Sequence, residues 1–283
     1  MPGKYPGFIF ETAGAWCFYR NKTLEKIQPL VPTDFELPIA HLLAEREEIT
    51  SSQHSHVCRA RLNSGQKKAL VYLKGMDFKS FRDAIKQQFS SSRAIKAFEA
   101  ELLLQSLGFG TPTTLLTGWR QRSFFFKDSF FTLSEALSDH SDLYTTVAQL
   151  GTQSGRQKRD FIAQFSSTIA RMHRENIGHG DLRAGNVMCQ YDEGWKFSFL
   201  DNERTRQYAK LPENIRIKNL VQLNLLISPV ISKADRQRFF NHYSALCYEQ
   251  TNKDLLGKVI NKTRKRLQIM LDKQKIEAAD LWL

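Results

Sequence analysis

The 283-residue chain has 41% hydrophobic and 25% charged residues, ordinary for a soluble globular protein with a real core and room for two lobes. Its net charge of +12 and pI near 9.6 favour a polyanionic partner (nucleic acid, an acidic membrane surface, or a phosphorylated or carboxylated substrate) without choosing among them. Four scattered cysteines, Cys17, Cys58, Cys189 and Cys247, show no metal-ligand spacing, argue against a disulfide framework, and point to a reducing compartment.

The N-terminus carries only Lys4 before a short apolar stretch broken by Glu11, which makes a poor signal peptide. Residues 1–40 hold five of the eight prolines and little periodicity, and read as an irregular leader packed on the remainder. From about Glu48 the pattern turns strand-like. Val57–Leu62 and Ala69–Lys74 predict two strands around an Asn63-Ser64-Gly65 turn. Residues 91–107 predict an amphipathic helix, with Ile95, Phe98, Leu102, Leu103 and Leu107 near a 3.6 period and Gly108 ending it.

Strands are expected around Thr113–Trp119 and Phe124–Leu133, where the run Phe124-Phe125-Phe126 suits a buried sheet better than a base-stacking platform. After Leu137 the pattern is helical. Phe161–Glu175 is amphipathic, and Val187–Cys189 and Phe197–Leu200 flank a Tyr191–Gly194 turn. From Arg216 onward the chain reads as helices. Leu220–Ile231, the most apolar stretch, contains Gln222, Asn224 and Pro229 and is far shorter than the roughly 20 residues a bilayer needs, so no span is expected. The layout predicts a two-lobed α+β fold, with an N-terminal lobe at 1–136 and a helical C-terminal lobe at 137–283.

The chemistry concentrates in His179-Gly180-Asp181-Leu182-Arg183-Ala184-Gly185-Asn186 and Phe199-Leu200-Asp201. Alone, D-L-x-x-x-N is a weak signal: His179-Gly180 can cap a helix, and Asp181 and Asn186 can form turns. Phosphoryl transfer, however, needs a carboxylate near the attacking hydroxyl, plus an oxygen ligand and a second carboxylate to hold Mg²⁺ against nucleotide phosphates. Asp181, Asn186 and Asp201 supply that set. Upstream, Val71-Tyr72-Leu73-Lys74 ends a strand in a lysine, and the next helix offers Glu99 or Glu101 as its ion-pair partner, Glu99 being the better placed. The order Lys74, Glu99, Asp181, Asn186, Asp201 is that of protein kinases.

The sequence resembles the lipopolysaccharide core kinases of the Kdo/WaaP family. The similar segments are Val71–Gly75, Phe98–Pro112, Ile169–Asn186, Leu200–Arg204 and Lys218–Tyr243. The resemblance implies a protein-kinase-like fold and an ATP-dependent kinase acting on heptose or Kdo of the lipopolysaccharide core. It implies Asp181 as the base toward the sugar hydroxyl, Arg183 neutralising the transferred phosphoryl group, and Asn186 and Asp201 as Mg²⁺ ligands. Lys74 holds the α/β-phosphates with Glu99 as tether, and the Ser134–Leu137 backbone, including Glu135 and Leu137, meets adenine at the hinge. The expected location is cytoplasmic, peripheral on the inner membrane.

Several positions depart from the kinase pattern. No glycine-rich loop precedes Lys74, where Thr50–His56 stands instead. Gly180 replaces the arginine of H-R-D, arguing against control by activation-loop phosphorylation. Asn202-Glu203 replaces Phe-Gly, which weakens a protein-substrate reading. Asn219 stands where the resemblance implies aspartate, and predicts a weaker brace for the catalytic loop. His54 and His56 read as solvated. The basic segment Lys258, Lys262, Arg264, Lys265 and Arg266 suits either an anionic membrane surface or a solvated helix face. The rival functions are a kinase for another small molecule or for protein, and a non-catalytic kinase-like binding protein. Nucleic acid is not expected as a partner.

Overall fold

The structure is a computed structural model that describes residues 4–24, 40–49, 55–64, 67–76, 93–123, 126–248 and 250–277. Contacts divide the chain into two compact units, Met1–Gln105 with Thr111–Ser138, and Ser106–Gly110 with Asp139–Leu283. The loop Ser106–Gly110 thus joins the second unit, whereas a division at 136/137 leaves it with the first.

Among the described residues, the first unit is a seven-stranded antiparallel sheet with one α-helix. Its strands are β1 (Phe8–Ala13), β2 (Trp16–Asn21), β3 (Leu43–Ile49), β4 (Ser55–Ser64), β5 (Lys67–Met76), β6 (Thr114–Ser123) and β7 (Phe126–Glu135), in the order β1-β2-β6-β7-β5-β4-β3. Helix α1 (Arg93–Ser106) buries Ile95 and Phe98 among Tyr5 and Tyr19, with Phe8, Phe10 and Trp119 packed against them. The Phe98 ring meets Phe8 edge-on at 4.6 Å and Tyr5 at 4.9 Å. A second core of Trp16, Phe18, Leu62, Val71, Leu116 and Leu133 is drawn from five strands. The alternation of β4 (Cys58, Ala60 and Leu62 buried, Arg59 and Arg61 exposed) is the period-2 pattern that made it legible.

The expected irregular leader is corrected over residues 8–21, which form a β-hairpin. Its five prolines lie at positions 2, 6, 29, 32 and 38, outside both strands. Between Ala13 and Trp16, Gly14 takes φ 56°, the left-handed value that a tight hairpin turn requires. At the other edge, β3 is charged rather than apolar, with Glu47 3.3 Å from Arg59 of β4 and Glu45 paired with Arg61. Charge on an edge strand blocks pairing with another chain. Phe124 and Phe125, and Thr50–His54 of the loop expected to cover phosphates, lie outside the described residues.

The second unit is mainly helical: α2 (Leu143–Leu150), α3 (Gly155–Arg174), α4 (Glu213–Asn224), α5 (Lys233–Tyr248) and α6 (Lys253–Asp272). Ser154 starts α3 through a capping box with Gln157, and Arg171, His173 and Arg174 lie in its last turn. Short strands β8 (Ser141–Asp142), β10 (Val187–Tyr191) and β11 (Trp195–Phe199) form one sheet, and β9 (Ile177–Gly178) pairs with β12 (Arg206–Gln207). Gly110 bridges Ser198 of β11, where an added Cβ would stand 2.4 Å from the serine Oγ. Among the described residues no helix is long and apolar enough to cross a membrane.

Candidate active site

The β10–β11 hairpin brings Asn186 and Asp201 to its open end. Val187 pairs with Phe199, and the Leu200 N–H donates to the Asn186 carbonyl at 2.9 Å. Asn186 Nδ2 donates to the Asp181 carbonyl at 2.8 Å, which turns its Oδ1 into the atom available to a ligand. Asp201 adopts φ 56°, ψ 51°, a left-handed conformation uncommon for a residue with a side chain and frequent at functional turns. The fully buried Asn202 holds that turn by donating to the Phe199 carbonyl at 2.9 Å.

The loop before Asn186 is fixed from both sides. His179 is fully buried. Its Nδ1 accepts the Asp181 N–H at 3.0 Å, so the proton sits on Nε2, which donates to the Leu200 carbonyl at 3.2 Å. Burial pulls its pKa down to about 4 and keeps the ring neutral. One imidazole therefore ties the Asp181 backbone to the Asp201 approach. From the other side, α4 contributes three residues: Lys218 donates to the Gly180 carbonyl at 2.6 Å, Asn219 clamps the N–H and carbonyl of His179, and Gln222 accepts the Leu182 N–H at 3.1 Å.

Asp181 receives Gln222 Nε2 on Oδ1 at 2.6 Å and Arg183 Nε at 2.8 Å, with the Arg183 fork completing the contact. The Arg183 side chain is 68% exposed against 18% for Asp181, so Arg183 has room to move while the carboxylate does not. The bond to Asp181 raises the Arg183 pKa. Gly180 abuts Arg204, where a Cβ would fall 2.0 Å from the Arg204 Cβ and 2.7 Å from its backbone. A side chain at this position therefore has no room, which gives the replacement of the H-R-D arginine by glycine a steric reason.

In the first unit, Lys74 lies on β5 opposite Val57 of β4 and Thr132 of β7. The structure does not bring Glu99 to it. The Glu99 carboxylate accepts Tyr5 Oη at 2.6 Å and Lys4 Nζ at 2.8 Å; burial pushes its pKa up, but these two bonds outweigh it and hold the carboxyl low. Glu101, two residues on and on the other side of the helix, is the buried acid of α1, and accepts the Thr114 hydroxyl at 2.5 Å. At the end of β7, the N–H groups of Glu135 and Ala136 donate to Thr113 and Leu70 at 2.9 and 2.8 Å, leaving Leu137 as the next backbone position.

The lipopolysaccharide kinase (Kdo/WaaP) family model matches residues 43–243, well over half the chain. The chain belongs to the Kdo/WaaP family. No curated protein matches it. Among solved structures it is similar to one described as WaaP in complex with acyl carrier protein, at 18% identity and TM-score 0.56, covering 78% of this chain and 89% of that one. That likeness supports the kinase-like α+β fold.

Within a Kdo/WaaP kinase, the residue that sequence reasoning missed is Gln222, which joins Asn219, the expected brace. The signal was present: both are polar at i, i+3 within the apolar run Ile217, Leu220, Val221, Leu223, and buried polar groups must find partners. Asn219 corrects the expected weak brace, because an amide offers both the acceptor and the donor that His179 needs and a carboxylate offers only acceptors. No group of three or more His, Cys, Asp or Glu forms a metal site among the described residues. An amide oxygen plus one carboxylate nevertheless fits Mg²⁺, which takes few protein ligands beside water and phosphate oxygens.

Proposed function

We propose that this Kdo/WaaP chain transfers the γ-phosphoryl group of ATP to a hydroxyl of heptose or Kdo in the lipopolysaccharide core. The observation that carries it is the braced Asp181, whose carboxylate is positioned by Gln222 while Asn186 and Asp201 sit at the neighbouring hairpin end. Asp181 accepts the sugar hydroxyl proton as that oxygen bonds to phosphorus and the β–γ bridging oxygen leaves with ADP. Asn186 and Asp201 would hold Mg²⁺, which supplies charge neutralisation on the phosphates. Arg183 leaves Asp181 for the transferred group as substrate enters, and Lys74 grips the α/β-phosphates. Glu101, buried on α1, is its inferred tether in place of Glu99, and the Leu137 N–H faces adenine. The enzyme works at the cytoplasmic face of the inner membrane, where exposed Lys262, Lys265 and Arg266 of α6 meet anionic headgroups. Phosphate transfer to cores lacking defined phosphates, read by mass spectrometry, tests the reading; absence of a mass gain of one phosphate on any heptose- or Kdo-bearing core defeats it.

A second reading concerns a protein partner. The second unit has a half-open cavity of about 280 Å³ walled by Phe161, Phe165, Leu223, Phe240 and Val259, with Lys233, Asp235, Arg236 and Arg264 also in its lining. Burial pulls the Arg236 pKa down to about 10. Apolar walls suit an acyl chain on a carrier protein, and the structural neighbour is a complex with acyl carrier protein. Calorimetric titration with acylated and unacylated acyl carrier protein tests it: only the acylated form should bind tightly, and Arg264→Glu should weaken it.

A further inference from the structure

Asn219 does not orient itself. Its Oδ1 accepts the His179 N–H at 3.1 Å and its Nδ2 donates to the His179 carbonyl at 2.6 Å. A backbone N–H can only donate and a carbonyl can only accept, so the amide has a single allowed orientation. The same Oδ1 faces His173 Nε2 at 3.3 Å, which must therefore carry its proton. His173 Nδ1 is then bare and accepts the Tyr243 hydroxyl at 2.7 Å, and the Tyr243 oxygen accepts an Arg216 N–H at 2.6 Å. Arg216, Tyr243, His173, Asn219 and His179 form one hydrogen-bond chain of a single polarity. It draws on α4, α5 and α3 and ends in the catalytic loop.

We propose that His173 and Tyr243 are positioning residues for phosphoryl transfer: they hold the Asn219 amide in place against the His179 backbone, and through His179 they set Asp181. The proposal rests on the kinase reading above. His173, Asn219 and Tyr243 are fully buried, where a polar group is costly unless every bond is made. Removing the Tyr243 hydroxyl leaves the bare His173 Nδ1 and the Arg216 N–H without their shared partner in a fully buried site, so the ring is no longer held from that side and its Nε2–H loosens from Asn219 Oδ1. Asn219 keeps its orientation toward His179 but loses its third bond, and its grip on the His179 backbone slackens. The His179 ring shifts with its backbone, and Asp181, whose N–H it accepts, shifts too.

The test compares His173→Phe, Tyr243→Phe and the conservative His173→Gln, which retains a donor toward Asn219 and an acceptor toward Tyr243. We expect His173→Phe and Tyr243→Phe to lower kcat about tenfold with the KM for Mg·ATP within about twofold of wild type, and His173→Gln to recover most of the loss. A purely structural role would lower the unfolding temperature of all three without that split or rescue. If either Phe variant, folded at the assay temperature, keeps wild-type kcat, the proposal is wrong. Should His173→Phe not fold, Tyr243→Phe decides alone. Should wild type transfer no phosphate to any core, the kinase reading fails separately, and hydrogen exchange then judges the relay. Faster exchange across 179–186 in Tyr243→Phe, restrained in His173→Gln, supports it; unchanged exchange overturns it.

Discussion

The two units hold their chemistry by different means. In the first, Lys74 is carried by a central strand, and its place follows from register: Val57 on one side, Thr132 on the other, each set by the ladder. In the second, Asp181 sits on a loop that no ladder fixes. Its place follows from side chains bonding to backbone, with Lys218, Asn219 and Gln222 of one helix reaching Gly180, His179 and Leu182. Strand-borne residues inherit position from the whole sheet; loop-borne residues depend on a few buried polar groups. Substitutions should therefore separate the units sharply.

The largest effect is expected at Asp181, the proposed base. Asp181→Asn keeps the hydrogen-bonding outline but cannot take a proton, and should lower phosphate transfer by about 10²- to 10⁴-fold. Its unfolding temperature should stay within a few degrees of wild type, since the Asn Oδ1 can still accept Gln222 Nε2. Asp201→Asn should abolish the stabilisation by Mg·ATP seen in a thermal shift assay; a normal shift would remove Asp201 from the metal.

Next comes the dependence of the second unit on buried neutral imidazoles. Burial pulls His173 and His179 from the ordinary 6.5 to about 3 and about 4. Both folded pKa values lie below the unfolded one, so the unfolded chain takes protons first as the pH falls. Stability from these two groups is present above about pH 6.5 and is lost as the pH falls from there to about 4 for His179 and about 3 for His173, with a slope approaching two protons. Unfolding midpoints from pH 8 to pH 5 should be flat and then fall, and His173→Gln should reduce the limiting slope by one proton.

These features also mark what the sequence could and could not convey. The strands 57–62 and 69–74 and the helix at 91–107 were legible because alternation and a 3.6 period are local. The hairpin at 8–21 was hidden by prolines that flank it without entering it. Asp181, Asn186 and Asp201 stood out by order and spacing. Gln222 did not, because its value lies in meeting Leu182 and Asp181 some forty residues away in the chain. Gly180 stood out only as a departure from H-R-D, and the 2.0 Å approach of Arg204 reveals the steric demand behind it.

Within the sheet unit the acid on α1 gives the next contrast. Glu101 is buried and bonded to Thr114, while Glu99 is partly exposed and tied to Lys4 and Tyr5. If Glu101 tethers Lys74, Glu101→Gln should lower kcat/KM by about ten- to hundredfold, the range for losing a charged hydrogen bond, and Glu99→Gln should change it less than about twofold. Equal losses would return the role to Glu99.

The smallest effect should come at the sheet edge, and it tests the comparison from its other side. Arg59 and Glu47 lie 3.3 Å apart with 47% and 65% of their side chains exposed. Water screens such a pair, and holding two long side chains together offsets most of the attraction. Arg59→Gln should therefore cost about 0.2–1 kcal/mol in a urea titration and leave phosphate transfer unchanged. The strand stays in place because the backbone ladder of β3 and β4 survives the substitution, and the charges serve mainly to deter pairing with another chain. Gln222→Leu differs in kind: it leaves the Leu182 N–H without its acceptor, worth about 1–3 kcal/mol, and takes a donor from Asp181. If Arg59→Gln instead cost as much as Gln222→Leu, the sheet would be leaning on side-chain pairs as the catalytic loop does, and the distinction between ladder-held and side-chain-held chemistry would fall.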